Sequence, residues 1–134
     1  MRMLIWGMIA LAVLGLVWIR LAPSDPARWH RAPQISADRD MRGGVLRRVE
    51  TGADGLARFD AIARTAPRTR VLAGSVAEGM VTYVTRTRVF GFPDYTTALQ
   101  QGDLLLIHAR NRFGRSDLGV NRARVEQWLT SLGH

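Results

Sequence analysis

The clearest feature of the hydropathy pattern is an uncharged run of 17 residues, Met3 to Ile19. A helix of this length covers roughly 26 Å, and Arg20, whose charged head can reach the headgroups, extends the apolar path towards the ~30 Å of a bilayer core. Trp6 and Trp18 lie near the two ends of the run, where indole rings favour the membrane interface. The pattern predicts a single transmembrane anchor over residues 1–22.

A cleaved secretory signal is the alternative interpretation of this segment. Arg20 lies where a small, neutral cleavage region is expected, and no Ala-x-Ala tripeptide follows before Pro23, so a retained anchor fits better. The direction of the anchor stays open. More arginines follow the run than precede it, which favours a cytoplasmic domain, whereas a short tail before an apolar run is typical of exported, anchored domains.

A proline-containing stretch follows the anchor, with Pro23, Pro26 and Pro33. Because each proline fixes its own φ and disfavours helix at the preceding residue, the stretch predicts an extended tether over residues 23–44. Trp29 in this tether is expected to be an interfacial anchor or a plug on the domain surface, and His30 a solvated neighbour. A small folded domain is predicted over residues 45–134.

Helical periodicity occurs twice in this domain. Apolar residues at helical spacing predict one helix over residues 56–66, with Asp54 as its N-cap, and a second over residues 120–132. Ser116 or Asp117 is expected to cap the second helix. Its buried stripe comprises Val125, Trp128, Leu129 and Leu132.

Segments with strand character lie between the two helices. They predict two hairpins, 69–75 with 80–90 and 95–100 with 104–112, and a short strand is expected over residues 45–50. The predicted fold class is therefore α+β, with an antiparallel sheet of about four strands packed by two helices. If the apolar residues face the core, the outer side of the sheet carries Arg86, Arg88, His108, Arg110 and Arg112.

The formal charge of +8 narrows the classes of partner. A basic domain near a membrane attracts anionic lipid headgroups, at about 1 kcal/mol per charge close to the surface. We expect no nucleic acid partner, because the chain is anchored and carries no recognised nucleic-acid-binding motif. The chain has no cysteine, which excludes disulfides, thiolate nucleophiles and cysteine-ligated metals.

A conventional catalytic set is not predicted. The three histidines, His30, His108 and His134, are scattered without metal-ligand spacing. No serine is flanked by a nucleophile elbow. We therefore expect no metal, no cofactor and no enzymatic activity.

One polar cluster is the candidate site. Several guanidinium groups beside the start of the last helix suit a phosphate or a carboxylate; the structural alternative is that the aspartates pair with arginines and pin the loops, while the outer arginines stay hydrated. The sequence leaves both readings open. The cluster comprises Arg86, Arg88, Asp94, Arg110, Arg112, Arg115, Asp117, Asn121 and Arg122.

Four strings resemble a known bacterial family: residues 72–75 (LAGS), 82–86 (TYVTR), 91–96 (GFPDYT) and 112–122 (RFGRSDLGVNR). From about Phe59 to Leu132 the chain is similar to the domain of unknown function 1499 family, and its N-terminus is similar to the membrane-tethered proteobacterial branch. The resemblance implies an exported envelope protein and implies no activity.

Two departures from the family pattern affect the site. Asp94-Tyr95 stands where much of the family carries paired aspartates, and residues 108–112 (HARNR) lack the Arg-Ser that precedes the second arginine of the family. The first departure weakens any two-carboxylate acid/base or hard-cation site, because a tyrosine does not ionise near neutral pH.

The function expected from these features is a non-catalytic, single-pass protein of the bacterial inner membrane. Its α+β domain, on the periplasmic side, acts as an accessory or assembly component of an inner-membrane protein complex. Gly7, Leu11 and Gly15 lie on one side of the anchor and leave grooves for another transmembrane helix. The alternatives are an anion or lipid-headgroup binding module that uses the arginine cluster, and a hydrolase that uses Asp94 or Asp117.

Overall fold

The N-terminal apolar run forms a helix, as the sequence predicts. A computed structural model describes all 134 residues, and its first helix, α1, spans Arg2–Leu21 with none of its residues buried. The helix is long and apolar enough to cross a membrane. Arg20 lies in its last turn, where a cation interacts favourably with the helix dipole.

One antiparallel sheet of six strands follows, so the predicted count of about four strands is too low. The spatial order is β1-β2-β6-β5-β4-β3. The additional edge strand, β1, has only three residues, too few to show an alternating pattern. The strands are β1 (Arg39–Met41), β2 (Gly44–Glu50), β3 (Thr69–Ser75), β4 (Met80–Arg86), β5 (Pro93–Gln101) and β6 (Leu104–Asn111).

The strand β4 ends earlier than the sequence predicts. It was expected to reach Phe90, but it stops at Arg86, and residues 87–92 form a loop. The loop is closed by the backbone of Thr87, whose N–H donates to the Phe92 carbonyl at 2.9 Å. Arg88 therefore belongs to a loop and not to the outer face of the sheet.

Two helices cover one face of the sheet, as predicted: α3 (Gly55–Thr65) and α4 (Val120–Leu132). Phe59 of α3, Tyr83 of β4 and Trp128 of α4 meet in the core, with ring centroids 5.6 to 6.3 Å apart. Burial of each large side chain contributes about 1.5–3 kcal/mol, and tilted ring pairs contribute further. This aromatic centre joins both helices to the sheet.

The opposite face of the sheet is also covered. Of this layer the sequence predicted only one alternative, Trp29 as a plug on the domain surface, and the structure confirms it. The proline-containing stretch forms the short helix α2 (Pro26–Trp29), and Trp29 stacks on Tyr95 of β5 with ring centroids 4.0 Å apart. His30, expected to be solvated, makes a 2.8 Å hydrogen bond to the buried hydroxyl of Thr82. Residues 23–44 are therefore not a plain extended tether: they pack on the sheet and contribute β1 to it.

The reason for this second packing layer lies in β4 and β5. Val84 and Tyr95 are apolar or aromatic residues on the face away from α3 and α4, and they form a small second core with Trp29. Without the segment around Trp29, these side chains would be exposed to water.

Candidate functional site

The predicted cluster of nine residues is divided among several places in the fold. Asp117 precedes α4, and Asp94 lies in β5 and faces α4. Two arginines bind the stretch before β1, and two others line a groove beside α1. Arg122 pairs with Asp40 at 3.3 Å on the surface. Arg115 is exposed.

The buried carboxylate of the cluster, Asp94, pairs with an arginine that the sequence analysis did not identify. A guanidinium nitrogen of Arg124 lies 3.3 Å from Asp94 Oδ2, and the two side chains are only 14% and 4% exposed. Burial raises the pKa of Asp94, while the nearby Arg124 opposes that rise. Arg124 also donates to Asn121 Oδ1 at 3.0 Å. The sequence signal that could have identified Arg124 is its i, i+3 spacing from Asn121, which places both side chains on one side of α4.

The second aspartate, Asp117, holds the start of α4. Its carboxylate accepts hydrogen bonds from the backbone N–H of Gly119 at 2.9 Å and of Asn121 at 3.1 Å, and from the Asn121 side-chain amide at 2.8 Å. These bonds satisfy donors that a helix start leaves free. Both carboxylates of the candidate cluster are thus engaged in bonds that position α4.

Arg110 lies under the segment that covers the outer face. Its guanidinium donates to the Trp29 carbonyl oxygen and, at 2.9 Å, to Thr97 Oγ1. Burial lowers the pKa of Arg110 to about 10, so the group stays charged at neutral pH. Burial, with the nearby Arg110, lowers the pKa of His108 to about 4, so the imidazole is neutral there. Arg112 binds the same segment through the Pro23 carbonyl at 2.8 Å.

The remaining arginines converge on a groove of about 620 Å³ between α1 and the edge strand β3. We call this the arginine groove. Arg86 is fixed by a 2.9 Å bond to the Gly91 carbonyl, and Arg68 by a 3.0 Å bond to the Arg86 carbonyl. No acidic side chain lines the groove. Its five guanidinium groups belong to Arg20, Arg68, Arg70, Arg86 and Arg88.

The sequence analysis did not identify three of these five arginines, Arg20, Arg68 and Arg70, as members of a site. Arg68 and Arg70 join Arg86 because β3 pairs with β4 in the register Thr69↔Thr85. Arg20 joins them because the end of α1 lies against residues 86–91. Neither the register nor the docking of α1 has a local signature in the chain.

A comparison with known families matches residues 19–132 to the model described as Protein of unknown function (DUF1499). The chain belongs to the DUF1499 family. The match includes the segment that carries Trp29 and β1. The resemblance found in the sequence covered the domain only from about Phe59, together with the N-terminal segment. No curated protein and no solved structure matches the chain.

The sheet register of this DUF1499 domain sorts its charged loops to opposite ends. The end near α1 holds the β1–β2 turn and the loops 66–68, 87–92 and 112–119. We call this the arginine end, because its turn and loops carry Arg42, Arg68, Arg88, Arg112 and Arg115. The turns at the far end carry the acidic residues Asp54, Glu78 and Asp103.

A cluster suited to a metal ion is not formed. No three histidine, aspartate or glutamate side chains lie close enough together to hold one. The arrangement that remains is cationic: guanidinium forks match the oxygen geometry of phosphates and carboxylates. The arginine groove is therefore the candidate functional site.

Proposed function

We propose that the protein is a single-pass membrane protein whose DUF1499 domain binds the phosphate groups of anionic lipids in the arginine groove. The observation that carries this proposal is the lining of the groove: five guanidinium groups and no carboxylate, beside the last turn of α1. If α1 crosses the bilayer, that turn lies at the headgroup level, where lipid phosphates are concentrated.

Two groove arginines are free to bind such a ligand. Arg70 and Arg88 are exposed, and their side chains make no hydrogen bond within the protein. Like charges held close together repel one another, so an anion that binds between them relieves this repulsion as well as forming new bonds. The backbone of the groove residue Arg68 adopts a positive φ of 55°. This conformation costs free energy in a residue other than glycine.

The double variant Arg70→Gln with Arg88→Gln tests the proposal. Loss of two charges at about 1 kcal/mol each predicts a Kd for phosphatidylglycerol weaker by roughly 30-fold, with folding unchanged. The full chain, extracted in a neutral detergent, is titrated with phosphatidylglycerol or phosphatidylcholine, and bound lipid is counted by native mass spectrometry. We expect the wild type to prefer phosphatidylglycerol.

The matched control is Arg39→Gln with Arg48→Gln, two exposed arginines near the opposite edge of the sheet that remove the same charge. This control should retain wild-type affinity. Equal weakening by both double variants would show that net charge alone attracts the lipid and would contradict a groove. If inorganic phosphate binds the wild type as tightly as phosphatidylglycerol, the ligand is a free phosphate and not a lipid.

A second candidate function is an accessory or assembly component of an inner-membrane complex. The side of α1 that carries Gly7 and Gly15 supports it, because two glycines two turns apart leave the helix surface shallow on that side. Another transmembrane helix can approach closely along such a side. In the same mass spectra, a stoichiometric protein subunit without a preference for phosphatidylglycerol would favour this candidate over the groove.

We place the protein in the bacterial inner membrane with its domain in the periplasm. The family resemblance supports an exported domain, and a chain without cysteine suits an oxidising compartment. A reporter enzyme fused after His134, active only outside the cytoplasm, should therefore be active. An inactive reporter in a correctly inserted, stable fusion would move the domain to the cytoplasmic side.

A further inference from the structure

The loop between β4 and β5, residues 87–92, lies against the last turn of α1. A guanidinium nitrogen of Arg20 donates to the Val89 carbonyl at 3.4 Å, and one of Arg86 donates to the Ile19 carbonyl at 3.5 Å. Gly91 allows this approach: it has a φ of 71°, and a Cβ there would lie 2.9 Å from Arg20 Nε. The loop is therefore at the level where the apolar helix ends.

This loop exposes apolar side chains that the domain does not need for its core. Val89 is 72% exposed and Phe90 is 51% exposed, and Phe90 stacks on Phe92 with ring centroids 5.6 Å apart. Exposed apolar residues are common singly on soluble surfaces, but a contiguous set is typical of an interaction site. The loop has the character of an apolar tip.

The neighbouring loop, residues 112–119, presents a further apolar side chain. Leu118 is 92% exposed although its φ is 54°, a conformation that costs a leucine free energy. Hydrogen bonds to the Ser116 and Asp117 side chains hold the backbone on its two sides. Thr87 and Phe92 of the first loop and Leu118 of the second line one cavity of about 270 Å³, so the two loops lie side by side at the arginine end.

We propose that Val89, Phe90 and Leu118 enter the interfacial region of the bilayer that α1 spans, so that the arginine end of the domain rests on the membrane. The contact between the loop and α1 identifies the bilayer as the occupant, because it holds these side chains next to the point where the helix leaves the apolar core. The surrounding arginines complement anionic headgroups, and the acidic turns lie at the far end.

This inference rests on α1 being in a bilayer and does not require an anion in the arginine groove. Apolar tips flanked by basic residues are a common means of interfacial binding, in which side chains lie ~5–10 Å into the headgroup and acyl boundary. The contact would fix the orientation of the domain and keep the arginine groove open to headgroups.

The absence of cysteine from the chain allows single reporter sites. Val89→Cys and Leu118→Cys are each labelled with bimane in the full chain, reconstituted in phosphatidylcholine vesicles that contain brominated acyl chains. Both substituted side chains are exposed, so the fold tolerates the label. For a probe ~5–10 Å into the boundary, we expect bromolipid to reduce the bimane fluorescence about twofold.

Two controls make the outcome decisive. Val76→Cys, in the hairpin turn at the far end, should lose no fluorescence, and Val17→Cys in α1 should be quenched strongly. If Val17 is quenched while the labels at 89 and 118 behave like that at 76, the loop contact is wrong and the groove proposal stands. If Val17 itself is not quenched, α1 is not in the bilayer and both proposals fail.

Discussion

The variant Arg124→Leu is expected to lose about 3–5 kcal/mol of unfolding free energy, because removal of one partner leaves an uncompensated buried charge. The other partner, Asp94, is 4% exposed and has no second guanidinium group within bonding distance. The loss is measured by urea unfolding of the full chain in a neutral detergent, followed by tryptophan fluorescence. Trp128, in the same helix, reports the loss of the core.

The pH dependence of the stability of Arg124→Leu also reports the buried charge of Asp94. Without Arg124, burial and the nearby Asp117 raise the pKa of Asp94 with little opposition. In the folded variant, Asp94 therefore binds a proton at a pH above the ordinary pKa of an aspartate. When the pKa of Asp94 is higher in the folded state than in the unfolded state, its contribution to stability is fully present below the unfolded pKa of about 3.9. That contribution is lost as the pH rises through the folded pKa. The deficit of Arg124→Leu relative to wild type should therefore shrink on acidification.

A matched control uses the same helix. Arg122→Leu breaks an exposed pair with Asp40, whose two side chains are 54% and 53% exposed, and should cost no more than about 1 kcal/mol. Asp94→Asn added to Arg124→Leu should recover much of the lost stability, since it removes the buried charge. Equal losses in the two arginine variants would show that the Asp94 pair is not special.

The second large effect is expected for Trp29→Ala, at about 3–5 kcal/mol. Trp29 is 9% exposed, its ring stacks on Tyr95, and the guanidinium carbon of Arg110 lies 5.4 Å from the ring centroid. Its removal opens a cavity over the outer face of the sheet. The carbonyl that accepts from Arg110 is retained, so the measured loss reports the side chain.

Trp18→Ala is the control for this variant, because Trp18 lies in α1 and is exposed. It should leave the urea midpoint of the domain unchanged in the same detergent. If Trp29→Ala also leaves it unchanged, residues 23–44 are only a tether, and the second packing layer does not contribute to stability.

Local patterns in the sequence determined most of the secondary structure. The uncharged run predicted α1, and helical spacing predicted α4 with the bounds 120–132 that the structure shows. The two hairpins were correctly placed, with errors of a few residues at strand ends. These features are local, because an apolar period and a turn dipeptide lie within a window of 10–20 residues.

The tertiary structure alone decided how the polar residues are grouped. The predicted cluster combined arginines of one strand face with residues near the start of the last helix, but it omitted Arg124, which binds Asp94 from 30 positions later in the chain. Arg110 is buried by Trp29, which lies 81 positions earlier. Such partners depend on the docking of α4 and α2, and no local period encodes them.

The same distinction applies to the candidate site. The sequence by itself established a basic, cysteine-free chain with one long apolar segment and included Arg86 and Arg88 among the candidate site residues. The β3–β4 register and the docking of α1 then added Arg20, Arg68 and Arg70 to form the groove. Hydrophobic periodicity specifies which face of an element is buried, whereas strand register and the packing of distant segments arise from contacts between residues far apart in the chain.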